Sequence, residues 1–90
     1  MRYQTVQIIV PPSGYAFKMP LFVNVYFEQD VHWAESYDLI ILASGDTVFE
    51  ALNDFRSRLK TLADHSFSKN KNSLFGAALH QHKAIRAILE

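Results

Sequence analysis

The stretch from Thr47 to Ala63 limits the possible folds more than any other part of the chain. Val48, Ala51, Leu52, Phe55, Leu59, Leu62 and Ala63 recur at helical spacing and form a single apolar stripe. Thr47 and Glu50 supply a Thr-x-x-Glu capping box, in which each side chain satisfies an otherwise unpaired amide of the first turn. Asp54–Arg58 and Lys60–Asp64 are i,i+4 pairs worth ~0.3 kcal/mol each. Acids lie early and bases late, as the helix dipole favours, and the helix is expected to end near His65. A helix with one apolar stripe buries it against one other layer. The residues before Thr47 read as strands, so that layer is expected to be a sheet.

Leu21 to Glu28 is the clearest strand. Leu21, Val23, Val25 and Phe27 share one face, and Phe22, Asn24, Tyr26 and Glu28 share the other. Gln29-Asp30 fits a tight reversal, without the glycine that favours a primed turn. Val31 to Tyr37 then returns antiparallel. Leu39 to Ala43 is a continuous apolar run, expected to be a strand buried on both sides, and Ser44-Gly45-Asp46 closes it. Residues 2–10 are rich in β-branched side chains and form a further strand, ended by Pro11-Pro12-Ser13-Gly14. Residues 15–20 read as a connection, and residues 66–72 as a polar loop. Ser73 is placed as the cap of a second helix running to about Leu89. The expected class is therefore α+β: an antiparallel sheet of three or four strands packed on one main helix, with a second, C-terminal helix.

A chain of 90 residues allows one domain, 1–90, and leaves a monomer little area to bury. With no cysteine, neither disulfides nor thiolate-bound metal supplement that core. Self-association is the expected supplement, most simply a homodimer. No leader-like apolar segment follows the first residues, and no apolar run reaches the roughly 20 residues of a membrane span. The expected location is the cytoplasm, away from membranes. The formal net charge is zero, which disfavours nucleic acid as the partner. The charges are nevertheless segregated: residues 1–55 carry two bases and seven acids, and residues 56–90 seven bases and two acids.

No catalytic constellation emerges, so the chain is read as a non-enzyme without cofactor or metal. His80 and His82 are two apart, pointing about 200° from one another on a helix, whereas helical chelation needs i,i+4 spacing. Both are expected to face solvent. The acids Glu28, Asp30, Glu35 and Asp38 are read as the solvated rim of a sheet. Eight of the twelve aromatics lie in the first 37 residues, more than one helical layer covers. Tyr26, Trp33, Glu35 and Tyr37 are accordingly assigned to a partner-binding surface, where Trp and Tyr are enriched. As an alternative, the basic C-terminal half would bind a small anionic ligand or nucleic acid through Lys69, Lys71, His82, Lys83 and Arg86.

Three short stretches carry a family resemblance: Phe22-Val-Asn-Val-Tyr-Phe27; His32-Trp-Ala-Glu35 with Asp38-Leu39; and Gly45-Asp-Thr-Val-Phe-Glu-Ala-Leu52. Across residues 22–63 this pattern resembles the HicB-like antitoxin group. The chain departs from it at Ile40-Ile41, where the family has Pro-Gly, and leaves no room for a complete DNA-binding helix-turn-helix or ribbon-helix-helix. The resemblance implies a three-stranded antiparallel sheet on a helix, oligomerisation, no catalysis, and a protein partner of the small ribonuclease-toxin kind. Frames of this type also occur in mobile elements. The functional expectation is a non-catalytic protein-interaction or assembly module, antitoxin-like in character.

Overall fold

The computed structural model describes residues 3–68 and 76–89. Its elements are β1 (Tyr3–Ile8), β2 (Phe22–Glu28), β3 (Val31–Ser36), β4 (Ile41–Gly45), α1 (Val48–Ser68) and α2 (Ala77–Ile88). The four strands form one antiparallel sheet in the order β1-β2-β3-β4, so β1 and β4 are its edges. The expected α+β class, with one main and one C-terminal helix, is what the chain adopts. The position of the expected helix cap, Ser73, lies outside the described residues, as do residues 69–72 of the expected loop.

Helix α1 packs on β3 and β4, and α2 packs on α1. Register puts Thr5, Val25, Ala34 and Ala43 in one row across the helix side of the sheet. Phe55, Leu59, Ala51 and Ala63 meet this side and are fully buried, with Val48, Leu52 and Leu62 packed at the margin. The amphipathic stripe therefore faces the sheet as its spacing requires. Leu39, Val23, Ile85 and Leu89 complete the most enclosed part of the core. At the β4–α1 junction a Cβ on Gly45 would lie 2.6 Å from the Ala51 backbone nitrogen and 2.6 Å from Glu50 Cβ. Only a residue with no side chain lets the strand end meet the first helical turn so closely.

The start of α1 is capped as its sequence dictates, with one difference. The Glu50 amide donates to Thr47 Oγ1 at 3.1 Å, while Glu50 Oε2 accepts from the Asp46 amide, one residue before the expected partner. The helix continues to Ser68, three residues beyond the expected end. Its last turn is held from outside: the Tyr15 hydroxyl donates to Asp64 at 2.6 Å, and the Tyr15 ring stacks on Phe67 at 5.7 Å. The connection before β2 is tied to α2 as well, since the Lys18 amide donates to the Ile88 carbonyl at 2.6 Å and Phe17 bridges to Leu89.

Two turns use positive φ without glycine. Gln29 (φ 57°) and Asp30 (φ 61°) form a type I′ reversal between β2 and β3, the geometry that matches strand twist. Ile40 (φ 55°) precedes β4, a left-handed position that is costly for a β-branched side chain. The apolar run Leu39–Ala43 is not a strand buried on both sides. Leu39 is buried in the turn, β4 starts only at Ile41, and Leu42 is 49% exposed, because β4 is an edge strand with a helix on one side only.

Candidate functional site

Both described helices lie on one side of the sheet. The register defines what the other side presents. One row runs Val6, Asn24, Glu35, Leu42, and the next runs Tyr26, Trp33, Ser44. Phe22 stands on the same side of β2, two residues from Asn24. Val6, Phe22 and Leu42 are about half exposed, and Tyr37 and Ile40 add further exposed apolar surface in the turn beside β4.

The sequence-assigned partner residues largely converge. Tyr26 is buried even on this open side. Its ring stacks with Trp33 at 6.5 Å between centroids, and its hydroxyl donates to Glu35 Oε2 at 3.2 Å. The Trp33 indole N–H donates to the Glu28 carbonyl at 3.0 Å, which fixes the ring against the hairpin. A shallow hollow of about 250 Å³ is lined by Tyr26, Glu28, Gln29, Trp33 and Leu42. Tyr37 stands outside the strand rows, at the margin of a second hollow with Glu35, Ile40 and Leu42. The surface is thus a rigid aromatic centre with an apolar border. Val6, Phe22 and Leu42 were not assigned from sequence. Phe22 shares the alternation of Asn24 and Tyr26, which was the available signal. Leu42 was hidden in an apolar run whose edge position only the fold reveals.

Of the alternative anion-binding set, the described members do not all reach the surface. His82 is 4% exposed, and its Nδ1 has no hydrogen-bond partner among the described residues. The expectation that His82 faces solvent is therefore corrected: it turns inward, while His80 is exposed, because i and i+2 point to opposite sides of a helix. Lys83 and Arg86 are exposed, with the Arg86 guanidinium 4.8 Å above the Phe67 ring. Lys69 and Lys71 lie outside the described residues.

Among the described residues no helix is long and apolar enough to cross a membrane. In comparisons with known proteins, no family model matches the chain, and neither a curated protein nor a solved structure is significantly similar to it.

Proposed function

We propose that the chain is a non-catalytic interaction module that self-associates through the open face of its sheet. One observation carries this reading: the sheet face opposite both described helices presents Val6, Phe22, Leu42 and the Tyr26–Trp33 pair, interleaved with Asn24, Glu35 and Ser44. Exposed apolar surface rimmed by polar groups is typical of protein interfaces, with aromatic anchors near the centre. A two-fold pair, the commonest closed arrangement, would lay two such faces together. A small toxin-like protein is the second occupant considered for the same face, a reading supported by the resemblance of residues 22–63 to HicB-like antitoxins.

Light scattering during size exclusion at micromolar concentration tests the proposal. The expected mass is twice that of the chain, falling to one chain for Phe22→Glu, with unchanged circular dichroism. A strictly monomeric wild type across that range overturns self-association.

A further inference from the structure

The edge strand β4 also borders a second surface, on the helix side, which meets the open face at Ile40 and Leu42. The Ser44 amide donates to Asp54 Oδ2 at 3.3 Å and so points away from β3. Antiparallel pairs alternate between bonded and non-bonded, so the backbone of Leu42, two residues earlier, also points outward. The neighbouring edge positions are occupied by side chains. Gln81 Nε2 donates to the Leu39 carbonyl at 2.7 Å and more weakly to Ile40, while Asp54 holds Ser44. The amide and carbonyl of Leu42 are the outward donor and acceptor between these two caps. Beside them, a cleft of about 350 Å³ is lined by Ile40, Leu42, Arg58, Thr61, Leu62 and Gln81.

We propose that this cleft docks an extended segment of another polypeptide, which adds to β4 at Leu42 and places an apolar and an acidic side chain against α1. The backbone part of the recognition is the outward donor–acceptor pair, which an added strand satisfies. The side-chain part is the spacing of α1. Arg58 and Leu62 are one helical turn apart, about 6 Å along the axis. Residues i and i+2 of a strand share a face and lie about 6.8 Å apart. An added strand running along α1 would set one side chain on Leu62 and the next of the same face on Arg58. Arg58 lines the cleft and spends Nε on Asp54 at 3.0 Å, and with its side chain 57% exposed its terminal nitrogens are open to solvent as donors for an incoming carboxylate. The charge of Asp54 is held by two donors, Arg58 and the Ser44 amide. A second copy of this chain fits less well, because two-fold pairing at Leu42 brings Arg58 toward its own symmetry mate.

The probe is a phage-displayed library of random dodecapeptides, panned on the immobilised full chain. The expected enriched sequences share an apolar residue and an Asp or Glu two positions apart. By fluorescence anisotropy, Leu42→Pro is expected to weaken such a peptide at least tenfold and Leu42→Ala less than threefold. Proline is tolerated there because the lost amide faces away from β3. Arg58→Ala should weaken the acidic peptide tenfold and leave its amide version unchanged. If Leu42→Pro loses its fold by circular dichroism, backbone N-methylation of the peptide reads the same bond from the other side, and one methylated position should lose tenfold. Absence of an enriched pattern overturns the proposal, as does binding indifferent to both backbone changes. Enriched peptides lost on Phe22→Glu instead would assign them to the open face and also overturn it. A monomeric wild type leaves the cleft untouched, so the two readings fail separately.

Discussion

Phe55 and Phe22 are the same side chain on opposite sides of one sheet, the first fully enclosed and the second 57% exposed. Nothing intrinsic to phenylalanine separates them. Phe55 projects from α1 into the layer between helix and sheet. Phe22 belongs to the strand parity that points away from both helices. The difference teaches that for these two side chains burial is set by register and by the side on which the helices settle. It also identifies the open face as apolar surface that the described fold does not use internally.

The largest expected effect tests that contrast directly. Phe55→Ala should cost roughly 3–5 kcal/mol, combining lost transfer free energy with a cavity that tight packing cannot close. Phe22→Ala, measured by urea denaturation at a concentration low enough to keep the chain monomeric, should change stability by less than about 0.5 kcal/mol. Comparable losses at both sites would mean that Phe22 is enclosed within its own chain, and the two sides of the sheet would no longer differ.

A smaller effect concerns the turn that joins β3 to β4. Ile40 holds a left-handed backbone at φ 55° while its side chain is half exposed. That conformation costs an L-residue roughly 1–2 kcal/mol, and asparagine tolerates it better. Ile40→Asn should therefore raise stability by about 0.5–1 kcal/mol, read as a higher thermal midpoint. An unchanged or lower midpoint would show that the contacts of Ile40 outweigh its backbone strain.

Most of the fold was legible from local patterns. The capping box and apolar stripe placed α1, and the alternation of β2 set Val23 and Val25 on one face and Tyr26 on the other. What failed depended on information that no short window contains. The Leu39–Ala43 run looks like a central strand because it is apolar throughout, yet β4 is an edge. The primed turn at Gln29-Asp30 forms without its favoured residues because pairing of β2 with β3 imposes the twist. His82 looked solvated by residue type, but the position of α2 turns it inward. The candidate surface was half legible: Tyr26, Trp33 and Glu35 converge as aromatics and acids of one hairpin, whereas Leu42 and the β4 cleft needed tertiary structure.

The smallest expected effect is the pH dependence of the link between the N-terminal connection and α1. The hydrogen bond from the Tyr15 hydroxyl holds the Asp64 carboxyl below the usual carboxylate range, helped by the hydrogen bond from Lys60. The same bond pushes the Tyr15 hydroxyl above the usual tyrosine value. For Asp64 the folded state binds its proton less readily than the unfolded chain. Its contribution is thus present above the usual carboxylate range and lost as pH falls through the lowered value. For Tyr15 the folded state keeps its proton longer, so its contribution is present below about pH 10 and lost as pH rises beyond it. Solvent exposure keeps both contributions small. In urea titrations across pH, wild type should exceed Tyr15→Phe by a constant margin through the neutral range, and the margin should shrink at both extremes. A margin that persists into acid would assign the effect of Tyr15 to packing against Phe67 instead of to its bond with Asp64.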